Sequence, residues 1–485
     1  MSGRGTARPS GIGGAAWAAA ALCFALAVGL RWRALPLVMT LGDSLGPWWV
    51  AWRGPLQTTP HAPPYGWMLA LPYAAILTFA RSLWQAEATL LVLHALVAPL
   101  GALLAAAQAP RRWAPVAALS VGGLVAVDPG LIDTAISGAE GYLGALWLGV
   151  LVWAGPRVPP ALRPALAALL FAAAVMNHPL CACAAPLLWP AARGARGPGP
   201  WLVGLGLGGL LLGPHLLSLR AAAGGLGGPP GAAAGALRAY AAQGGPAALL
   251  FAGGPVVGLL SRRTRALSAA TWLSFGALLL VGEQVGALRD HHLRLLSLPA
   301  AAGWAALSGP ALLLALLLLR PAPDPLSRPG AHQRPGTLGM THALGLALER
   351  SGAWESAEGV LVDGVLVGPG VPAAEPGGLV LDRLIRRGGL VVPNLRSDLL
   401  LVLSFPRGAR PAAPAGAAEL VAGDTFALWR WPRAGASAGG LPAGAAVGGA
   451  MDGLVLIDPR ADAALTAWTG SDPHGVLGEP EDPGP

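Results

Sequence analysis

The chain has no lysine: all 32 of its Lys+Arg residues are arginine. Alongside abundant Ala, 70 Gly and 47 Pro, that absence reflects a GC-rich genome and is a coding bias, not a function. Charge of either sign is also scarce. Charged residues make up 12 % of the chain, about half the ~25 % of ordinary soluble domains, and the mean hydropathy is +0.57. Such a composition excludes an ordinary soluble globular protein. Cysteine is limited to Cys23, Cys181 and Cys183, each inside an apolar run. A disulfide framework is thereby excluded, and the redox compartment is not legible from cysteine.

What is there is apolar sequence. Long runs recur from 12 to 319, and a chain of 485 residues with this pattern reads as an α-helical polytopic membrane protein of about 10–11 spans. Candidate spans are 12–30, 87–107, 114–127, 139–154, 164–178, 179–191, 201–219, 246–260, 266–285 and 293–319. Residues 66–80 are apolar but short and interrupted by Pro72, as in an interfacial or re-entrant helix. The first run follows MSGRGTAR and resembles a signal peptide, yet its length suits an uncleaved anchor.

Net charge is +8, which would suit a nucleic acid were it spread evenly. It is not. Residues 1–320 hold twenty arginines against seven acids, and the remainder twelve against seventeen. The positive charge sits in alternate loops: Arg4 and Arg8; Arg111 and Arg112; Arg157 and Arg163; Arg193 and Arg196; Arg262, Arg263 and Arg265. None of these holds an acid. Asp43, Glu87, Asp128, Asp133, Glu140, Glu283 and Asp290 all fall in the intervening loops or at span ends on that side. Arginine-rich loops stay in the cytoplasm, so orientation explains the charge and no nucleic-acid partner is called for. The N-terminus is expected inside, the acids outside, in the inner membrane of a bacterium.

Beyond Arg320 the character changes. Residues 321–336 are a Pro-rich linker. Residues 337–433 read as a small α/β soluble domain, with a helix near 341–352, strands at 359–368, 398–405 and 426–431, and an amphipathic helix at 378–389. Residues 434–485 combine an Ala/Gly-rich linker, a short strand and helix, and a polar tail. No Gly-rich phosphate turn follows a strand there, so no nucleotide is assigned. The side on which this tail lies is open: one span over 293–319 leaves it inside, while a break at Ser308-Gly309-Pro310 puts it outside. Only nine apolar residues follow Pro310, a helical rise of about 14 Å, which favours the single span.

Four outer clusters carry the residues suited to chemistry. Residues 41–67 are irregular and rich in Trp and Pro, as at a membrane–water interface, and offer Asp43, Arg53, His61 and Tyr65. The loop 127–142 offers Asp128, Asp133 and Glu140. The turn 176–180 offers His178. The segment 282–296 offers Glu283, Arg289, Asp290, His291, His292 and Arg294. A carboxylate can deprotonate an acceptor or hold a divalent cation, and Arg and His can neutralise a phosphate leaving group. Bland roles stand beside these: Asp43 as a helix cap, Asp128 as the start of a turn at Pro129, His61 as an interfacial histidine. His178-x-x-Cys181-x-Cys183 has metal-like spacing, but structural zinc takes four ligands, and a helix start with two small buried residues accounts for it. No metal site is assigned.

An acid soon after the first span, followed by His61-Ala62-Pro63-Pro64-Tyr65, resembles the GT-C superfamily of membrane glycosyltransferases, in its protein mannosyltransferase and aminoarabinose transferase branch. The second acidic outer loop and the Arg-rich segment leading into Ser297-Leu298-Pro299 are similar too, so the likeness covers roughly 12–320. It implies a polyprenyl-phosphate-linked sugar donor, a lipid, glycan or protein acceptor, and inversion at the anomeric carbon. It further implies a catalytic acid at Asp43, help from Asp128 or Asp133, and phosphate contacts from 289–294. The family pairs its acid with Glu, whereas Asp43 is followed by Ser44; a divalent cation is admitted but no cofactor is identified. Relatives often carry an extracytoplasmic C-terminal domain. A transporter and a non-catalytic scaffold are the rival classes.

Overall fold

The computed structural model describes residues 12–40, 42–53, 67–136, 142–195, 198–222, 231–285, 288–307 and 337–350, with short pieces at 309, 311–312, 360–362, 365–367, 378, 381–382, 385–386, 399–404, 418–422, 426–431, 447–451 and 454–457. The elements are helical up to residue 350. In chain order they are α1 (Gly14–Ala34), α2 (Gly42–Arg53), α3 (Trp67–Leu77), α4 (Leu83–Ala95), α5 (Val97–Gln108), α6 (Ala114–Val127), α7 (Pro129–Ile136) and α8 (Tyr142–Ala154). There follow α9 (Arg163–Asn177), α10 (Leu188–Ala192), α11 (Gly199–Ala222), α12 (Ala232–Leu259), α13 (Arg265–Val285), α14 (Asp290–Leu293), α15 (Ser297–Ala302) and α16 (Leu338–Arg350).

Among the described residues, three stretches are long and apolar enough to cross a membrane: Gly14–Leu37, Leu83–Gln108 and Arg265–Gln284. A fourth candidate is Arg111–Val127 with Pro129–Ile136, bent by 46°. The bend has a local cause. Asp128 precedes Pro129, a position sterically barred from the helical region, and its backbone is extended at φ −62°, ψ 113°. Shorter apolar helices lie at 143–157, 163–177 and 179–192. They are short for a reason visible in the sequence, because prolines interrupt the i→i−4 ladder; 179–187, with Pro179 and Pro186, winds as a 3₁₀ helix. The stretch read as a single span over 293–319 is broken likewise: a 3₁₀ turn over Arg294–Leu296, α15, a second 3₁₀ turn over Gly303–Ala306, and extended backbone at Leu307.

Large apolar side chains lie outward on these helices. Leu22 and Leu26 of α1 are 64 % and 44 % exposed, Leu210 of α11 75 %, and Leu273 and Leu280 of α13 66 % and 69 %. A water-facing surface would not carry them in rows; a lipid-facing one does. The core is built from small residues instead, with Ala the commonest. At the crossing of α1, α5 and α6, a Cβ on Gly122 would lie 2.6 Å from Ala102 Cβ and 2.8 Å from Cys23 Sγ. Small residues at such crossings let helix backbones approach closely, which is how helices associate in lipid.

The chain groups into two compact units, 1–34 with 54–74 and 88–327, and 35–53 with 75–87 and 328–485. The first is the helical bundle. The second combines 35–53, which contains α2, and 75–87, the end of α3 with the start of α4, with the chain after residue 327. It holds a five-stranded sheet in the order β2-β1-β3-β5-β4, formed by β1 (Val360–Val362), β2 (Val365–Val367), β3 (Leu399–Ser404), β4 (Ala418–Ala422) and β5 (Phe426–Trp431). β1 pairs β2 as a hairpin and β3 in parallel; β5 lies antiparallel between β3 and β4. β6 (Val447–Met451) and β7 (Leu454–Ile457) form a separate antiparallel pair.

Candidate functional site

The bundle brings together residues 166 positions apart. Asp128 ends α6 and begins α7, where its Oδ2 accepts from the Leu131 backbone N–H at 3.1 Å. Capping of this kind follows from a carboxylate one residue before a helix whose first N–H groups lack partners. The same oxygen accepts from Arg294 Nη1 at 2.9 Å, and both side chains are buried. The Arg294 guanidinium also lies 4.2 Å from the centre of the Tyr240 ring, a cation–π contact in a dry setting. Gly130 makes room for it: a side chain there would overlap the guanidinium. Asp128 is thus cap and counter-ion at once.

Its position brings α7 against α14. Asp133 lies on α7, half-buried, one helical turn beyond the cap. On the other side stand the histidines. His178 ends α9 and its Nδ1 accepts from the Leu180 N–H at 3.2 Å. His292 Nδ1 accepts from the Arg289 N–H at 3.0 Å. The His178 and His292 rings are 5.0 Å apart, and His291 and His292 4.2 Å. Since an Nδ1 that accepts cannot carry the proton, both His178 and His292 are held as the tautomer protonated on Nε2. Burial, then the neighbouring His291, His178 and Arg289, lower the pKa of His292, so it stands as a neutral N–H donor. Arg289 is exposed at the rim.

The remaining expected site residues divide. His61, Tyr65 and Glu140 lie outside the described residues. Asp43 and Arg53 occupy the second and last positions of α2, and Asp290 opens α14; their side chains are likewise outside the description. Glu283, at the end of α13, accepts from the backbone N–H groups of Gly231 and Ala233 and so serves the start of α12. Among the described residues no group of three or more His, Cys, Asp or Glu could hold a metal ion. Cys181 and Cys183 are buried core residues.

Two residues that sequence reasoning passed over are central to the bundle. Arg31 is 0 % exposed, and its Nε donates to His94 Nδ1 at 2.9 Å while Nη1 donates to the carbonyls of Ala27 and Ala126 at 3.3 and 3.4 Å. Near the end of a span, Arg31 reads as a snorkelling or orientation charge. The overlooked signal was His94, an ionisable residue well inside the apolar run 87–107, which needs a partner in lipid.

An apolar cleft opens beside Tyr240 and the segment that carries Arg294, lined by Tyr240, Pro255, Trp272, Phe275, Leu296 and Ser297 among others, with about 390 Å³ of empty space including its open mouth. Compared with known protein families, with characterised proteins and with solved structures, the chain matches none.

Proposed function

We propose that the chain is an integral membrane glycosyltransferase with a GT-C-like bundle, moving a sugar from a polyprenyl-phosphate donor to an acceptor at the extracytoplasmic face of a bacterial inner membrane. One observation carries the proposal. The Asp128–Arg294 pair joins an acid-bearing helix to a segment of arginine and neutral histidine donors, the two components that phosphate-leaving-group chemistry needs at one place. Asp133 is the carboxylate assigned to activation of the acceptor; the family resemblance separately assigns a catalytic acid to Asp43. Arg289, with the Nε2–H groups of His178 and His292, is assigned to the phosphate oxygens. Asp128 and Arg294, being engaged with each other, hold the two segments in register.

The test is transfer from polyprenyl-phosphate-linked hexoses to endogenous acceptors in membranes containing the chain. Asp133→Asn and Asp43→Asn are each expected to abolish transfer while the protein still inserts, and Arg289→Ala to raise the donor KM. Full activity in both carboxylate variants would remove the assignment.

A second class of function has its own observation. Buried ionisable groups between spans, here Arg31 with His94, are also the mark of carriers. Solute uptake by proteoliposomes free of any lipid-linked sugar, lost in His94→Ala, would favour a transporter over the transferase.

A further inference from the structure

The segments that flank α2 and begin α4 are held by the far end of the chain. The Leu338 N–H donates to the Val38 carbonyl at 2.7 Å, and Met39 and Thr337 form an antiparallel bridge. The Thr40 and Thr341 hydroxyls are 2.8 Å apart and buried. A second tie lies at Leu83. Its N–H donates to Asp382 Oδ1 at 2.8 Å, while Asp382 Oδ2 accepts from Arg386 Nε at 2.7 Å. Arg386 Nη2 lies 3.1 Å from His342 Nδ1, and the His342 ring stacks 5.0 Å from Trp84. Asp382, 2 % exposed, therefore caps a membrane helix from 299 positions away in sequence. Two glycines allow the approach: a Cβ at Gly378 would lie 2.9 Å from Thr40 Cβ, and one at Gly345 2.9 Å from Asp382 Oδ2.

We infer that 337–342, together with Asp382 and Arg386, form a built-in clamp for the ends of the first two spans that carry Val38 and Leu83, so that the C-terminal sheet lies on the same side of the membrane as the loop carrying Asp43. The argument does not depend on the transferase proposal. Val38 follows the span Gly14–Leu37 directly, and Leu83 opens the span Leu83–Gln108. Residues hydrogen-bonded at these ends cannot be on the opposite side of a bilayer.

Two measurements on the full chain in cells test the inference. In Thr40→Cys/Thr341→Cys, mass spectrometry of the non-reduced digest is expected to find the 40–341 disulfide-linked peptide, absent from either single variant. For sidedness, Arg81→Cys, Glu419→Cys and Arg112→Cys, all at exposed positions, are treated with a membrane-impermeant maleimide before and after permeabilisation. Glu419→Cys is expected to label together with Arg81→Cys, and Arg112→Cys under the opposite condition. Labelling of Glu419→Cys together with Arg112→Cys, or no cross-link in the double variant even with added oxidant, overturns the clamp. Neither result bears on whether the chain transfers sugars.

Discussion

Arg294 and Asp128 form a pair that neither partner could leave cheaply. Removing one member of a buried ion pair strands the other charge, at about 3–5 kcal/mol. Arg294→Ala is therefore expected to lower the unfolding midpoint in detergent sharply, since it also strips a cation from the Tyr240 ring; an unchanged midpoint would show the pair to be dispensable. Asp128→Asn keeps a helix-capping oxygen but strands the buried Arg294 cation, which cannot be deprotonated, and is expected to lower the midpoint as well. His292 adds a pH dependence. Its folded pKa is lowered by burial and by its basic neighbours, so the native state holds it neutral while the unfolded chain takes up a proton below about pH 6.5. The stability contribution is complete above that pH and declines as the solution is acidified. Unfolding midpoints measured from pH 7.5 to 5 should fall, and should fall less in His292→Gln.

At the scale of elements, much was legible in the sequence and the failures have specific causes. Apolar runs located α1, α6, α9 and α13 to within a few residues, because no proline falls within those helices beyond the first turn. The strands near 360–367, 399–404 and 426–431 followed from alternation in the first and from short apolar runs in the other two, while the strand Ala418–Ala422 went unread. Proline accounts for what was missed among the helices. It splits the run after 293 and turns 179–187 into a 3₁₀ helix, and run length alone does not register the loss of a hydrogen bond. Of the site, the Asp128–Arg294 partnership was invisible: both residues were singled out, but nothing local says that they meet. Arg31 was missed because a buried arginine and a snorkelling one look alike in sequence. Packing of α1, α5 and α6 around Gly122 is open to direct test. Gly122→Leu places a branched side chain where even a Cβ crowds Ala102 and Cys23, and is expected to abolish a folded bundle, read as aggregation on size-exclusion chromatography. A monodisperse, active variant would mean that the crossing is looser than described.

The whole molecule combines a charge pattern with a fold. Arginine-rich segments without an acid recur along the first 320 residues, and the helix ends that carry Asp128, His178 and Arg289–Arg294 fall between them, as do all seven acids. On the orientation proposed from this distribution, the opposite side is free for a site whose groups must meet both water and lipid head groups. A transferase using a lipid carrier requires this sidedness; a carrier protein requires its ionisable groups midway. Arg31→Met discriminates, because it removes the buried charge bonded to His94 and to the Ala126 carbonyl while keeping Asp128, Asp133, Arg289 and Arg294 themselves. If transfer is the activity, Arg31→Met should lower stability, through the lost bonds to His94, Ala27 and Ala126, yet leave the donor KM of the surviving folded protein unchanged. A variant that folds normally but loses all function would instead locate the working site between the spans, and the outer cluster would be reduced to a scaffold.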